Sequence, residues 1–179
     1  FRNEARAAAT LNHPNVATIY SVDEYDNRPF IAMEYVDGKT LDHYFSEEGV
    51  DLETFKRWFA PVVDAIGQAH NKGVIHRDIK PGNIMVTPEG EATLLDFGIA
   101  RITSDADLTR TGATLGTVAY MAPEHVRGGD ADERSDVWAL GVVLYEMLTG
   151  QRPFGGDHEM AILRNILDAT PTPSRELRP

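Results

Sequence analysis

Residues 76–83 read His-Arg-Asp-Ile-Lys-Pro-Gly-Asn, and this stretch constrains the fold more than any other part of the chain. Thirteen residues after Asn83 the sequence reads Asp96-Phe97-Gly98, and further on it reads Ala122-Pro123-Glu124. These stretches carry carboxylates and an amide in polar surroundings that are typical of loops. If the groups act together, they must converge when the chain folds.

The three stretches, in this order, are signatures of protein kinases. Because residues 96–101 also read Asp-Phe-Gly-Ile-Ala-Arg, the chain resembles the eukaryotic-type Ser/Thr protein kinases, and it is most similar to their bacterial branch. The resemblance covers essentially the whole chain. It implies an α+β fold, the bilobal protein-kinase fold in truncated form. Residues 1–36 would be the C-terminal part of the small lobe, and residues 37–179 a large lobe that is incomplete at its C-terminal end.

The resemblance also implies a chemistry, which is transfer of the γ-phosphoryl group of ATP, with Mg²⁺, to serine or threonine hydroxyls of a protein substrate. Asp78 is identified as the catalytic base, because a hydroxyl nucleophile needs a carboxylate within hydrogen-bond reach. Lys80 is expected to neutralise charge on the transferring phosphate, and it accompanies Ser/Thr specificity in the family. Asn83 belongs to the same catalytic set. Its amide oxygen and the Asp96 carboxylate suit Mg²⁺, a hard ion that prefers oxygen ligands.

Regulation is expected at the activation loop, residues 96–124. In the family, an arginine at the position of Arg77 marks enzymes that are switched by a phosphate on this loop. Thr109 and Thr111 match positions that bacterial relatives autophosphorylate, and a phosphothreonine there could form charge-assisted hydrogen bonds to Arg77. The alternative is a solvated polar loop whose threonines have no role. Thr117 is expected to brace the catalytic loop and belongs to the substrate-docking segment.

The nucleotide is expected to lie against the segment that follows the second strand, Met-Glu-Tyr-Val at residues 33–36. Met33 matches the gatekeeper of the adenine pocket, and Glu34 and Val36 would contribute backbone groups. Met85 and Leu95 would contact the adenine ring from below. Each of these residues, taken alone, is also typical of an ordinary core.

Further family positions concern the framework around the site. Glu4 aligns with the regulatory-helix glutamate that pairs with a strand lysine holding the nucleotide phosphates, a lysine that would lie before Phe1. Asp136 matches the carboxylate that holds the backbone of the catalytic loop. Glu124 would normally pair with an arginine, but no convincing arginine follows it. The stacked spine that links the lobes would contain Ala8, Ile19, His76 and Phe97.

Local patterns predict the secondary structure. Apolar residues at helical spacing predict a helix over residues 52–71 with Asp51 as its cap, and an apolar stretch predicts a buried helix over residues 135–149. We expect helices also over residues 1–11 and 157–169. Hairpins are expected from residues 16–25 with 29–35 and from 84–87 with 92–97, a hinge at Asp37-Gly38, and a loop over residues 101–116.

Composition excludes several classes of protein. The chain has 179 residues, a net charge of −11 and no cysteine, which argues against a nucleic-acid binder and against disulfides. Its longest uncharged apolar run, residues 137–145, is far too short to span a bilayer. We expect a cytoplasmic domain, with any membrane anchor in a parent protein of which this chain is a fragment. Five histidines show no metal-ligand spacing: His13, His43, His70, His125 and His158.

Two alternatives remain open. One is a pseudokinase or scaffold that binds partners without turnover, although Asp78, Asn83 and Asp96 are all intact. The other is a small-molecule kinase of related fold, which generally lacks the Ala-Pro-Glu stretch. The resemblance further implies that the fragment alone is inactive, because the Gly-rich loop and the strand lysine lie outside it. It leaves open a homodimer that autophosphorylates in trans.

Overall fold

The computed structural model describes residues 9–26, 28–46, 48–97 and 115–178. Most of the helix expected over residues 1–11 and most of the loop expected over residues 101–116 therefore lie outside the described residues. Within the described part, two small sheets and several helices form the mixed α+β fold expected from the sequence.

The first sheet is an antiparallel hairpin of strands β1 (Ile19–Tyr25) and β2 (Arg28–Met33). This hairpin was predicted, and its β-branched and aromatic residues suit a pleated surface. The first strand begins three residues later than expected, because Val16 forms a single parallel bridge to Leu94 of the other sheet instead. The hairpin is thereby joined to the sheet that precedes the Asp96 motif.

The second sheet has the order β3 (Lys39–Thr40), β4 (Ile84–Val86) and β5 (Ala92–Leu94), all antiparallel. The β4–β5 hairpin was predicted, but β5 ends at Leu94 rather than Phe97, because Asp96 leaves the extended region with a φ of 40°. Strand β3 was not predicted. It can lie beside β4 because residue 38 is glycine. A Cβ atom at this position would clash with the Val86 carbonyl oxygen, at a distance of only 2.4 Å.

Helix α1 (Leu52–Asn71) has the bounds and the cap that the sequence predicted. The Asp51 carboxylate accepts hydrogen bonds from the backbone N–H groups of Glu53 and Thr54, both at 3.0 Å. Together with the Thr54 hydroxyl, these bonds lower the pKa of Asp51. Gly73, with a φ of 70°, ends the helix.

The short helices are α2 (Leu115–Val118) and α3 (Pro123–Val126). Helix α4 (Glu133–Thr149) begins two residues earlier than predicted, because Asp132 accepts a hydrogen bond from the Arg134 N–H at 2.8 Å and caps it. Gly150 ends it with a φ of 70°. The expected burial on nearly all sides is wrong for one strip, since Val137 is 61% exposed.

The chain then forms α5 (Glu159–Asp168), which was predicted but starts two residues later and ends one residue earlier than expected, and α6 (Ser174–Leu177), which was not predicted. Helix α2 also corrects the sequence interpretation, because it occupies residues 115 and 116 of the expected loop. Two 3₁₀ helices, Leu41–Tyr44 and Pro81–Asn83, contact each other beside β4.

Helix α1 packs against β5 on one side and α4 on another, and the stretch that links α1 to β4 lies at this junction. The hydrophobic core includes side chains from all three elements: Val62, Ile66, Ala69, Leu94, Leu140 and Val143. None of the described helices combines the length and apolar character that crossing a membrane requires.

Candidate active site

One buried carboxylate, Asp136 in the first turn of α4, holds the backbone of residues 76–83, the predicted catalytic loop, at its first two residues. Its Oδ2 atom accepts a hydrogen bond from the His76 N–H and its Oδ1 atom one from the Arg77 N–H, each at 2.8 Å. Arg77 has a φ of 67°, which is strained for a residue with a side chain. We infer that the carboxylate stabilises this conformation, as a bidentate acceptor for two successive amides.

A third donor to the same carboxylate was missed by the sequence interpretation. The His70 Nε2 atom, at the end of α1, lies 2.8 Å from Asp136 Oδ2. Asp136 is only 1% exposed, so its charge is stabilised by these donors rather than by water. It therefore joins α1, the catalytic loop and α4 at one point.

His76 connects the catalytic loop to the Asp96 motif. Its Nδ1 atom accepts a hydrogen bond from the Asp78 N–H at 3.2 Å, and its Nε2 atom donates to the Leu95 carbonyl oxygen at 2.9 Å. Its ring packs on Phe97, with 4.7 Å between ring centroids. Because desolvation lowers the pKa of this fully buried imidazole, it is neutral, as its one donor and one acceptor require.

Asp78 lies at the centre of a cluster of polar side chains. Its Oδ2 atom accepts hydrogen bonds from Lys80 Nζ at 2.8 Å and from Asn83 Nδ2 at 2.9 Å. Asn83 Nδ2 also donates to the Asp78 carbonyl oxygen at 2.8 Å. Lys80 Nζ donates to Thr117 Oγ1 at 3.2 Å, so the structure brings four of the predicted site residues into one connected cluster.

The residue before Asp96 is hydrogen-bonded to this cluster: the Leu95 N–H donates to the Asn83 carbonyl oxygen at 2.8 Å. Its side chain is exposed. The carboxylates of Asp78 and Asp96 both lie close enough to the His76 imidazole to act on it electrostatically. The predicted base Asp78 and the predicted metal ligand Asp96 therefore both lie near the same buried histidine, and Asn83 is joined to them through its hydrogen bonds to Asp78.

The oxygen atoms of the Asn83 and Asp96 side chains are suitable ligands for Mg²⁺. Asn83 binds Asp78 through its amide nitrogen, and among the described residues nothing donates to its amide oxygen. With the Asp96 carboxylate it offers two hard oxygen ligands. The described ranges contain no group of three His, Cys, Asp or Glu side chains that could hold a metal. Mg²⁺ does not require such a group, because it typically binds only one or two protein ligands and completes its coordination with water and phosphate oxygens.

Comparison with known proteins agrees with this geometry. The family described as the protein kinase domain matches residues 1–176. The chain belongs to the protein kinase family. It is 42% identical over 177 residues to the serine/threonine-protein kinase PrkC of Bacillus subtilis, and this covers 98% of the chain and 27% of PrkC.

Mycobacterial kinases are similarly related to this kinase domain. The serine/threonine-protein kinase PknL of Mycobacterium tuberculosis is 42% identical over 170 residues, which is 94% of the chain and 43% of PknL. PknB of the same species is 42% identical over 182 residues, which is 97% of the chain and 29% of PknB. The chain thus spans less than half the length of each of these relatives.

The segment of the kinase domain predicted to meet adenine leaves the first sheet at Met33. The Glu34 N–H donates to the Thr18 carbonyl oxygen at 2.8 Å, and the Glu34 carboxylate accepts from the Thr18 N–H at 3.0 Å. Of the Glu34 backbone groups, the carbonyl is thus the one left for a ligand. Val36, Met85 and Leu95 are all half-buried, and Met85 lies on β4 opposite Thr40 and Thr93.

Some predicted positions cannot be placed, because Glu4, Ala8, Thr109 and Thr111 lie outside the described residues. Of the expected spine, Phe97 and His76 are in contact, and Ile19 packs against the core. The Glu124 carboxylate accepts a hydrogen bond from the Ser135 hydroxyl at 2.9 Å, a partner that was not foreseen.

The sequence interpretation also missed a cluster behind the docking segment, formed by Tyr120, Glu146 and Arg152. One signal could have revealed it. Glu146 is an acidic residue in a helix whose neighbours are apolar, and a buried carboxylate needs donors. Those donors come from other parts of the chain.

Proposed function

We propose that the protein transfers the γ-phosphoryl group of ATP to serine and threonine hydroxyls of proteins. The observation that supports this most directly is the Asp78 carboxylate, which receives both the Lys80 ammonium and the Asn83 amide beside Thr117. A carboxylate base, a cation and a metal ligand are the parts that phosphoryl transfer requires close together. The kinases at 42% identity, which carry serine/threonine specificity in their names, support the same proposal.

In this proposal Asp78 orients the acceptor hydroxyl and takes up its proton. Lys80 is held by both Asp78 and Thr117, so that its charge lies where phosphate charge develops. Thr117 fixes the distance between the substrate-docking segment and the catalytic loop. Positioning and charge stabilisation by these groups are the main contributions that a kinase makes to the reaction.

Asn83 and Asp96 would hold Mg²⁺, which when bound neutralises charge on the ATP phosphates. Met33, the Glu34 carbonyl and the backbone of Val36 would bind adenine, with Met85 and Leu95 below it. Glu4 would pair with the phosphate-binding lysine. We propose a boundary at residue 37 between a small-lobe part and a large-lobe part.

Regulation is proposed at Arg77, through a phosphate on Thr109 or Thr111. We further propose protein substrates, a cytoplasmic location and autophosphorylation in trans within a homodimer. Phosphorylation in trans can be recognised because its rate per molecule rises with enzyme concentration. Mass spectrometry after incubation with Mg-ATP should find phosphate on Thr109 or Thr111, and full activity without phosphate there would refute the switch.

The test of the main proposal uses the full-length protein, Mg-ATP and a generic acceptor protein. We expect phosphate on serine and threonine, none on tyrosine, and loss of transfer when Mg²⁺ is chelated. If Mg-ATP raises the melting temperature but no phosphate is transferred, the protein is a pseudokinase and the proposal fails. If only small molecules are phosphorylated, the alternative of a small-molecule kinase is correct.

A further inference from the structure

A buried carboxylate lies behind the substrate-docking segment, which we define as residues 115–121. Glu146, in α4, is 7% exposed and accepts a hydrogen bond from the hydroxyl of Tyr120, which is also 7% exposed. Arg152, which lies beyond the end of α4, donates from Nε to Glu146 Oε1 at 3.1 Å. Its Cζ atom also lies 5.6 Å from the centroid of the Tyr120 ring.

The charges in this cluster depend on one another. A carboxylate out of contact with water is stabilised only if donors reach its oxygens, and here each oxygen has one. Burial, and then the neighbouring Glu146 charge, raise the pKa of Tyr120 far above its usual value, so the hydroxyl stays protonated and donates. Arg152 supplies the positive charge that balances Glu146 and also contacts the face of the Tyr120 ring.

The cluster is connected to the reactive groups through the docking segment. The Tyr120 N–H donates to the Thr117 carbonyl oxygen at 3.3 Å, and the Thr117 hydroxyl receives Lys80 Nζ at 3.2 Å. Tyr120 and Thr117 also line one small cavity together with Asp78. A shift of Tyr120 would therefore move the segment that meets the catalytic loop.

We propose that Arg152 is a positioning residue for the protein substrate: by holding Glu146 it fixes the Tyr120 hydroxyl and thereby the docking segment against Lys80. This inference rests on the proposed kinase function. Among the described contacts Arg152 touches Glu146 and Tyr120, and it touches none of the predicted nucleotide- or metal-binding residues. Its effect is therefore on the protein substrate and not on ATP.

The test is steady-state kinetics of the full-length protein, in which Arg152→Ala, Arg152→Lys and the wild type are compared. We expect Arg152→Ala to raise the KM for a peptide substrate about tenfold, since one charge-assisted hydrogen bond is lost, while the KM for ATP stays the same. Arg152→Lys keeps the charge without the guanidinium geometry, and its peptide KM should lie between those of the wild type and Arg152→Ala. Arg164→Ala, which removes an exposed arginine paired with Asp168 at 3.9 Å, is the matched control and should change neither constant.

Chemical rescue separates positioning from a general loss of structure. The Arg152 side chain is 38% exposed, so the space that it leaves opens to solvent. Guanidinium ion, far below denaturing concentrations, should enter this space beside Glu146 and lower the peptide KM of Arg152→Ala, whereas sodium chloride of equal ionic strength should not. Glu146→Gln removes the partner charge, and the rescue should disappear in the double variant.

The outcomes are distinct. An unchanged peptide KM in Arg152→Ala, or a raised KM that guanidinium does not lower, overturns the inference, as does an equal rise in the KM for ATP. In each of these cases the wild type transfers phosphate in the same assay. If the wild type transfers none, the proposed function itself fails.

Discussion

Two carboxylates meet the same catalytic loop in different surroundings. Asp136 is 1% exposed and its donors are two backbone amides and a histidine ring. The Asp78 side chain is 18% exposed, and the donors to its Oδ2 atom are the side chains of Lys80 and Asn83. One carboxylate is thus bound to groups that cannot move without unfolding, and the other to side chains that can rearrange.

The difference indicates which carboxylate suits a structural role and which suits the proposed reaction. A fully desolvated carboxylate exchanges no partners, because an unmade hydrogen bond there costs the whole desolvation penalty. A carboxylate that water still reaches can release a donor and accept an incoming hydroxyl at little cost. Asparagine substitution at both positions keeps the shape and removes the charge, so the two sites can be compared directly.

The largest expected effect is on catalysis at the half-buried carboxylate, Asp78. Asp78→Asn should lower kcat about 10³-fold, because an amide cannot accept the hydroxyl proton. Its melting temperature should stay close to that of the wild type, since Lys80 and Asn83 remain partly solvated. The measurement is phosphate transfer by the full-length protein beside a thermal unfolding curve. Wild-type turnover in this variant would remove Asp78 from its role.

At the buried carboxylate we expect an effect on stability. Asp136→Asn places an amide N–H₂ group against donors, so the unfolding free energy should fall by about 3 kcal/mol. Urea denaturation of the wild type and the variant measures this difference. Asp168→Asn, at an exposed carboxylate in α5, is the control and should have little effect. If Asp136→Asn is as stable as the wild type, the carboxylate does not hold the loop.

A smaller effect is expected where the half-buried Asp78 cluster contacts the docking segment. Thr117→Val removes the hydroxyl that accepts from Lys80 at nearly constant volume, and kcat/KM for a peptide should fall about tenfold. Thr117→Ser retains the hydroxyl and should preserve most of the activity. Equal losses in the two variants would mean that packing, and not the hydrogen bond, determines the role of Thr117.

The smallest expected effect is on the pH dependence of stability, and it comes from the buried histidine His76. Desolvation lowers the pKa of His76 below its ordinary value of 6.5, so the unfolded chain binds a proton that the folded chain does not. The unfolding free energy should therefore fall as the pH drops below 6.5, by at most ~1.4 kcal/mol per pH unit from this residue. His76→Gln should flatten the curve relative to the wild type, whereas the exposed His43→Gln should not. Parallel curves for all three proteins would contradict the assignment.

Much of the fold could be predicted because its signals are local. The cap at Asp51 and the glycine at Gly73 lie within a few residues of the helix ends that they determine, and both ends of α1 were predicted correctly. The ends of β5 and α4 were less accurate. Asp96 turns the chain earlier than an apolar run suggests, and the cap at Asp132 makes α4 begin two residues before its predicted start.

For the site, too, the features with local sequence signals were predicted and the features that depend on distant residues were not. The motif around residues 76–83 predicted a site at Asp78, Lys80 and Asn83, because these residues are close in sequence and match one family pattern, and the structure brings them into contact. Strand β3 escaped prediction, since two residues carry no periodicity and become a strand only because β4 lies beside them. The His70 contact to Asp136 escaped for the same reason, as it joins residues 66 positions apart.

The sequence by itself determined the family and most of the helices, and it predicted the reactive side chains, because these depend on neighbouring residues and on their chemical types. Only the tertiary structure decided which carboxylate is desolvated, which donors surround it, and that Tyr120 and Arg152 share Glu146. Burial and long-range hydrogen bonding depend on how elements pack, and no local pattern encodes that packing.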